Sequence, residues 1–384
     1  MAASGPGGVL QGVRVADFSR VLAGPYATMM LGDFGADVIK IESPGGDETR
    51  AWRPPVDAEG NATYFAAVNR NKRSVVCDLA GDGAALARRL AETADVVVEN
   101  FRPGVMDRFG LGFEQLAQAN PRLVYCSITG FGSGAGAHLP GYDLVVQALG
   151  GLMSVTGEAN GPPLKVGVAL VDVLTALNAF SGILLALRLR DGGAGPQRVE
   201  VDLLSSLLAG LVNAGSAALT TGRSPERNGN THPSIAPYET FETADRTLAI
   251  AVGNDQQFAA LARETGLPEL ARDPRFAGNA MRVQHRDVLH DLLQGRLRET
   301  PGDQWQDRLT RAGVPAGVVN GVTEAFALAT RLGLDMVVGE EGGARQAADP
   351  IRLSGAAAAY RTPPPRLGST ASPAWLDERE GDGR

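Results

Sequence analysis

Short apolar runs alternate with helix-like stretches over the first 130 residues of the chain. The stretches between the runs, such as GAALARRLAETA and FEQLAQA, repeat apolar residues at the spacing of one helix face. Such alternation predicts an α/β fold with a mostly parallel sheet covered by helices. The predicted strands are VRVADF (13–18), DVIKIE (37–42), SVVCDL (74–79), DVVVEN (95–100) and LVYCSIT (123–129).

The chain changes character twice after Tyr142. It is first strongly helical, and RVEVDLL then adds a strand. After Leu219 the turn-rich segment TTGRSPERNGNTHPS marks an exit from the first domain. A hairpin-like pair of strands in YETFETADRTLAIAVG, followed by amphipathic helices, predicts a smaller α+β domain. We therefore expect a large Rossmann-like parallel-sheet domain over residues 1–215, completed by 330–384, and a small domain over 230–325.

The longest apolar run, residues 166–187, approaches the roughly 20 residues that span a membrane. Its one charged residue is Asp172, and the chain has no second run of this kind. An aspartate inside a membrane span costs about 2.5 to 3.5 kcal/mol on insertion scales. We therefore expect a buried helix of a water-soluble protein and no membrane partner.

Asp172 is a lone carboxylate among apolar neighbours, and a buried charge needs a partner or a function. One interpretation makes it the N-cap of a helix that begins at Val173, because aspartate accepts backbone N–H bonds well at that position. The other makes it a nucleophile, because a carboxylate at a helix N-terminus stays ionised. The two interpretations are compatible, and the pattern leaves both open.

The net charge and the small numbers of cysteine and histidine residues argue against several classes of function. Among 384 residues, 36 Lys and Arg stand against 43 Asp and Glu, a net charge of −7, whereas nucleic-acid binders carry a basic excess. The two cysteines lie in strand-like runs and the four histidines are scattered, so we expect neither a disulfide framework nor a metal site. The N-terminus lacks the basic and apolar regions of a secretory signal, so we expect a cytoplasmic location.

Two further features concern ligands. The loop GFGSGAGAHLPG lacks the glycine spacing and the following helix of a dinucleotide-binding motif, so a flexible loop is favoured. Basic residues follow the early strands, where parallel sheets bind ligands, and arginine pairs well with phosphate. Any single one of them is more simply a solvated surface charge, but their shared position in the topology favours the group as a ligand site. These residues are Lys40, Arg70, Lys72, Arg73, Arg102 and Arg108.

Longer strings of the chain resemble the family III CoA-transferases, which include formyl-CoA and carnitine CoA-transferases. In consistent order, the strings are DFSRVLAGPYATMMLGDFGADVIKIESPGGDETRAW, NRNKRS, VENFRPGVMDRFGLG, YCSITGFG, GVALVDV, HPSIAPYETFET and PPPRLG. Within the family the chain looks most like the succinyl-CoA:glutarate and related dicarboxylate CoA-transferases. The resemblance implies a coenzyme A thioester as substrate, no permanently bound cofactor, and an interlocked homodimer with the active site near its interface.

The resemblance also implies roles for individual residues. Asp172, the aspartate of GVALVDV, corresponds to the family's nucleophile, which forms a mixed anhydride and then an aspartyl-CoA thioester. A dicarboxylate further needs a cation for its distal carboxylate, and the candidates are Arg20, Arg53 and His232. The family's CoA contacts fall on Leu22, Ala23, Leu79, Ala80, Asn100, Phe101, Arg102, Arg108, Tyr142 and Asp143.

Two alternatives remain beside a CoA-transferase. The related α-methylacyl-CoA racemases carry a histidine where this chain has Tyr142, so a two-base racemisation would lack one acid/base group. A non-catalytic CoA-binding protein would use Asp172 only as a helix cap. We favour the transferase, with acyl-CoA and carboxylic acid substrates and no nucleic-acid partner.

Overall fold

The computed structural model describes residues 8–339, 344–371 and 375, which divide into two compact units. The first unit contains the described residues up to Leu152, Val166–Gly222, and the described residues from Gly333 onward. The second contains Met153–Lys165 and Arg223–Leu332. The segment 153–165 groups with the second unit, whereas the sequence analysis includes it in the large domain.

A six-stranded sheet forms the centre of the first unit. All neighbouring strands in it are parallel, as the alternation of strand and helix predicts. Its strands are β1 (Arg14–Asp17), β2 (Asp37–Glu42), β3 (Lys72–Val76), β4 (Val96–Glu99), β5 (Val124–Thr129) and β6 (Gln197–Asp202). Their order is β3-β2-β1-β4-β5-β6, that of a Rossmann sheet. The order reverses between β1 and β4, and ligands bind at the carboxyl ends of strands at such a point.

Helices cover the sheet and also build much of the second unit. In chain order they are α1 (Ala23–Asp33), α2 (Thr63–Ala67), α3 (Ala84–Thr93), α4 (Val105–Arg108), α5 (Phe113–Ala119), α6 (Asp143–Leu149), α7 (Leu152–Val155), α8 (Leu170–Asp191), α9 (Leu203–Gly210), α10 (Val212–Thr221), α11 (Asp255–Glu264), α12 (Asn279–Gln284), α13 (Arg286–Leu297), α14 (Gly302–Arg311) and α15 (Val322–Arg331). Short 3-10 helices span Glu48–Ala51, Pro268–Arg272 and Pro274–Phe276.

The two faces of the parallel sheet belong to two separate hydrophobic cores. Val15, Val96 and Val98 pack with residues of α1 and α8 in one core. Ala16 and Val97 pack with residues of α3 and α5 in the other. Successive residues of a strand point to opposite faces, so a strand buried on both faces is apolar throughout. This is why the strands appear in the sequence as continuous apolar runs.

Helix α8 is the long apolar helix that the sequence predicts, and it packs against α1, α9 and the sheet. Its inward residues, such as Ala176, Ala179 and Ile183, are fully buried. Within the described residues it is the one single helix long and apolar enough to cross a membrane, and the bent pair α9 and α10 passes the same test when taken together. Its outer face carries Leu185 and Leu189, which are more than half exposed.

The second unit contains an antiparallel sheet of β7 (Tyr238–Glu242), β8 (Thr247–Ala251) and β9 (Ala316–Val318), in that order. The hairpin predicted from YETFETADRTLAIAVG is therefore confirmed. One core joins this sheet to the apolar faces of α11, α13 and α14, so the unit is α+β. A two-stranded antiparallel ribbon of β10 (Val337–Val338) and β11 (Gln346–Ala347) lies in the first unit.

Candidate active site

A cavity of about 260 Å³ lies at the carboxyl ends of β1, β4 and β5, where the strand order reverses. Its walls are mainly the segments that follow these three strands and the start of α8, with Glu48 and Leu203 at the sides. Most of the residues that the sequence analysis selects line it. They are Arg20, Leu22, Ala23, Asn100, Phe101, Arg102, Tyr142, Asp143 and Asp172.

The other selected residues lie elsewhere. Leu79 and Ala80 follow β3 at the same edge of the sheet, and Arg108 is the last residue of α4. Arg53 lines a separate cavity of about 820 Å³. His232 belongs to the second unit. Of the three cations considered for a distal carboxylate, Arg20 is therefore the one in the wall of the Asp172 cavity.

Asp172 does not cap α8, so that interpretation is wrong. The helix begins at Leu170, after the N-cap residue Ala169, and Asp172 lies in its first turn. The carboxylate that caps the helix belongs to Asp143 of α6. Its Oδ2 accepts the backbone N–H groups of Val171 and Asp172 at 2.8 and 3.2 Å. The carboxyl group of Asp172 therefore takes no part in capping the helix.

The surroundings of Asp172 disfavour its negative charge. Burial, and secondarily the nearby charge of Asp143, raise the pKa of Asp172 to about 7. The expectation that Asp172 is simply held ionised by the helix terminus therefore needs correction, because the group titrates near neutral pH. A carboxyl group of this kind, in a cavity and with a charged neighbour, is a candidate for chemistry.

The glycine-rich loop after β5 brings Tyr142 and Asp143 to the cavity. Gly130 and Gly141 lie back to back, and a Cβ atom added to Gly130 would come within 2.5 Å of the Cα of Gly141. The loop therefore leaves the sheet and returns to the same point, where α6 begins. Because this close approach requires glycine, the two glycines have a structural role that does not involve dinucleotide binding.

The loops after β1 and β4 are joined through Asn100. Its side-chain Oδ1 accepts the N–H of Arg20 at 2.9 Å, and its Nδ2 donates to the Arg20 carbonyl at 2.7 Å. The Arg20 side chain forms a partly exposed ion pair with Glu48 at 3.2 Å and lies over the ring of Phe101. Asn100 therefore fixes the backbone from which Arg20 projects.

Four of the six basic residues considered for phosphate have internal carboxylate partners. Lys40 pairs with Asp47 at 2.9 Å and Lys72 with Asp17 at 3.0 Å, and all four of these side chains are fully buried. The other two pairs are Arg70 with Asp33 and Arg73 with Asp37, each at 2.6 Å. The phosphate interpretation is therefore wrong for the buried residues Lys40, Lys72 and Arg70. Arg102 lines the Asp172 cavity.

Two residues of interest escaped the sequence analysis. Val21, in the cavity wall, has a φ of 68°, a left-handed conformation that is rare for a β-branched residue. Burial, together with the charges of Asp172 and Asp143, raises the pKa of Tyr64 to about 12. The pattern around Val21 carries no signal of its backbone angle. Tyr64 lies within the string ATYFAAVNRNKRS, which indicates no role for it.

Comparisons with known proteins match nearly the whole chain to one family. The family model described as CoA-transferase family III matches residues 10–371. Succinate–glutarate CoA-transferase from Agrobacterium fabrum is 44% identical, over 94% of this chain and 93% of that protein. Acetyl-CoA:oxalate CoA-transferase from Acetobacter aceti is 41% identical, over 91% and 90%. The crystal structure of a CAIB/BAIF family protein from Brucella suis has a TM-score of 0.88 at 41% identity and covers 98% of this chain and 99% of that one.

Proposed function

Because the chain belongs to CoA-transferase family III, we propose that it transfers CoA from succinyl-CoA to a dicarboxylic acid such as glutarate, with Asp172 as nucleophile. The observation that carries the assignment is the placement of Asp172. It is a carboxyl group without a capping role, in the wall of a cavity at the switch point of the sheet. The two acids are named for the Agrobacterium fabrum relative.

The proposed reaction proceeds through covalent intermediates on Asp172. An Asp172 oxygen attacks the thioester carbonyl, the C–S bond breaks, and a mixed anhydride and the CoA thiolate form. The thiolate then attacks the aspartyl carbonyl and releases succinate, which leaves an aspartyl-CoA thioester. The acceptor carboxylate repeats the two steps in reverse order and regenerates the Asp172 carboxylate. Each step exchanges one acyl bond for another, so no proton is consumed overall.

Residues around the cavity suit a CoA thioester. Leu22, Ala23 and Phe101 offer apolar and backbone contacts, and Arg102 offers a cation for a phosphate group of the nucleotide. At about 260 Å³ the cavity suits the acyl and thioester end of the substrate rather than the whole of CoA. Backbone N–H groups of the adjoining glycine-rich segment are our candidates for stabilising a developing oxyanion.

Arg20 is our proposal for the cation that binds the distal carboxylate of a dicarboxylic acid. It lines the same cavity as Asp172. Its pair with Glu48 has both side chains 40% exposed or more, so it is weak and readily exchanged for a substrate carboxylate. A guanidinium group can hold such a carboxylate through two parallel hydrogen bonds.

The two alternative functions are less well supported. The family comparisons show a CoA-transferase, which sets aside a non-catalytic CoA-binding protein. A racemase of the two-base kind would need an acid/base group where this chain has Tyr142, and the imidazole that the related racemases carry there is missing.

We also propose that the protein is a homodimer. Large apolar side chains are exposed along three helices of the first unit, and a second copy of this chain is the partner that we expect to cover them. They are Leu177, Leu185 and Leu189 of α8, Leu208 of α9, and Val212 and Leu219 of α10. Light scattering should give twice the chain mass, and Leu185→Asp combined with Leu219→Asp should reduce it. A monomeric wild-type protein would contradict the proposal.

The function is tested by following CoA transfer with mass spectrometry. Purified protein is mixed with succinyl-CoA and one acid at a time from glutarate, itaconate, malate, oxalate and carnitine. New acyl-CoA should form with the wild type and with Asp191→Asn, which changes an aspartate at the other end of α8, but not with Asp172→Asn. Equal transfer by the Asp172→Asn protein would contradict the proposed nucleophile, and the preferred acid identifies the acceptor.

A further inference from the structure

Val21 holds an unfavourable backbone conformation in the wall of the cavity. Its φ of 68° lies in the left-handed region, where a β-branched side chain crowds the backbone. The next residue, Leu22, is the N-cap of α1, and Ala23 is the first residue of that helix. All three line the cavity that contains Asp172. A strained backbone persists only where its surroundings fix it, so the contacts around Val21 need an explanation.

A buried ion pair supplies these contacts from inside the protein. Lys40 Nζ donates to the carbonyl of Ser19 at 2.8 Å and pairs with Asp47 Oδ2 at 2.9 Å. The same Asp47 oxygen accepts the N–H of Val21 at 3.3 Å. The two charged groups therefore hold the backbone on both sides of Arg20. We call Ser19, Arg20 and Val21 the strained segment.

Asp47 is itself fixed in place. Its Oδ1 accepts the N–H of Thr49 at 3.0 Å and the Thr49 hydroxyl at 2.7 Å, and its own N–H donates to Glu42 at 3.0 Å. From the solvent side, Asn100 holds the N–H and the carbonyl of Arg20. The strained segment is thus held between Asn100 and an Asp47 that further hydrogen bonds fix in place, which leaves the segment little freedom to relax.

Stability alone does not account for the Lys40–Asp47 pair. Both side chains are fully buried, and desolvating two charges costs about as much as their attraction returns, so apolar residues often serve as well in a core. What apolar residues would not supply are the bonds to the Ser19 carbonyl and the Val21 N–H. The geometry therefore connects this pair to the backbone shape of the cavity wall.

We propose that Lys40 and Asp47 are positioning residues for CoA transfer, which hold Val21 in its left-handed conformation and so fix Leu22 and Ala23 in the wall of the CoA cavity. The inference rests on the proposed function, because it takes that cavity to be the CoA site. Without the pair, Val21 relaxes to a negative φ and the start of α1 no longer matches the thioester.

The test removes the ion pair first in the wild-type protein and then in a variant whose residue 21 takes up a positive φ without strain. Lys40→Met with Asp47→Asn leaves no unpaired buried charge, and Lys40→Leu with Asp47→Asn, which is equally uncharged, is a second variant in case the first does not fold. We expect the Kd for CoA, measured by calorimetry, to rise at least tenfold and kcat to fall at least tenfold. Glycine adopts a positive φ without strain. In a Val21→Gly background, the same substitutions should therefore change either quantity less than threefold.

A control ion pair separates an effect on the shape of the CoA cavity from a general loss of protein stability. The buried Arg190 and the partly exposed Asp95 form another ion pair of the same unit at 2.8 Å, at the amino ends of the strands and away from the cavity. Arg190→Met with Asp95→Asn should lower the melting temperature and leave the Kd for CoA within twofold of the wild type.

Three outcomes would overturn the inference. The first is that the CoA affinity and kcat of the Lys40 and Asp47 variants stay within twofold of the wild type. The second is that the same substitutions reduce CoA affinity and kcat equally in the Val21→Gly background. The third is that the wild-type protein does not bind CoA. A wild-type protein that binds CoA and transfers it to no acid would contradict the proposed function alone, since the calorimetric comparison requires no turnover.

Discussion

Asp172 combines two requirements that oppose each other. A nucleophilic carboxylate must be ionised, yet burial and the neighbouring Asp143 raise its pKa to about 7. A desolvated carboxylate is more reactive than a solvated one, so the same burial that reduces its ionised fraction favours attack on a thioester. The two hydrogen bonds from α8 to Asp143 keep that second charge in place.

The pH dependence of turnover should report this balance. Because the ionised form attacks, kcat/KM for succinyl-CoA should rise with pH and level off above a midpoint near 7. Asp143→Asn keeps an acceptor oxygen for the helix but removes the like charge, so its midpoint should lie lower. The measurement is the initial rate of new acyl-CoA formation from pH 5 to 9. Since both proteins use the same substrates, identical midpoints would mean that Asp143 does not influence the charge of Asp172.

Arg20 should act on the acceptor acid through its charge. Hydrogen bonds to charged groups contribute about 1.5 to 3 kcal/mol, so Arg20→Gln should raise the KM for glutarate by about 10- to 150-fold. A monocarboxylate acceptor such as butyrate lacks the distal carboxylate, and its KM should change by less than threefold. Arg53→Gln, in the separate cavity, should have the smaller effect on glutarate. A larger effect from Arg53→Gln would move the assignment to that residue.

At the scale of elements, the site is formed by segments that short contacts tie together. The loop after β5 returns to its starting point because Gly130 and Gly141 touch, and this places α6 so that Asp143 reaches the first turn of α8. Asn100 links the loops after β1 and β4 in a similar way. The position of the nucleophile therefore depends on a glycine contact in a different segment.

Substituting Gly130 should disturb the site through this chain of contacts. In Gly130→Ala the new Cβ atom would overlap Gly141, so the loop must shift and carry Tyr142 and Asp143 with it. A displacement of about 1 Å can cost a reaction about a hundredfold, and we expect kcat to fall by about 10- to 100-fold. Gly134→Ala, in the same loop, meets no atom within 4 Å and should stay within about twofold of the wild type. Equal kcat values for the two variants would contradict this reading of the loop.

The sequence predicts helices and strands well where residues close together in the chain determine them. The apolar runs place every strand from β1 to β5 within three residues, because burial on both faces leaves a continuous signature. The start of α8 was missed because its capping carboxylate, Asp143, lies 29 residues away from Asp172. The burial of Lys40 and the left-handed Val21 were missed for the same reason, since both depend on partners distant in sequence.

At the scale of the whole molecule, Asp172 links function to stability. A carboxyl pKa raised on folding means that the folded state holds the proton more tightly than the unfolded chain. The resulting stabilisation is present in full below the ordinary aspartate pKa of 3.8 and is lost as the pH rises through about 7. Above that pH the ionised nucleophile destabilises the fold.

Asp172→Asn should therefore stabilise the protein in a pH-dependent manner. Relative to the wild type, its free energy of unfolding should be higher by about 2 to 4 kcal/mol at pH 8, with little difference at pH 4. Chemical denaturation at several pH values measures this. In an Asp143→Asn background the gain at pH 8 should be smaller, because one source of the raised pKa is gone. A constant difference across pH would contradict the burial of a titrating Asp172.

The outer edge of β3 is covered by residues that come late in the chain. Thr370 N–H donates to the Ser74 carbonyl at 3.0 Å, Asn71 N–H donates to the Thr362 carbonyl at 3.0 Å, and Trp375 is buried in one of the two cores of the sheet. During synthesis, β3 leaves the ribosome almost 300 residues before these partners, as the separation of Ser74 from Gly368 illustrates. An uncovered strand edge can pair with other chains. The nascent chain therefore carries an unpaired, aggregation-prone strand edge until residues 362–370 have been made.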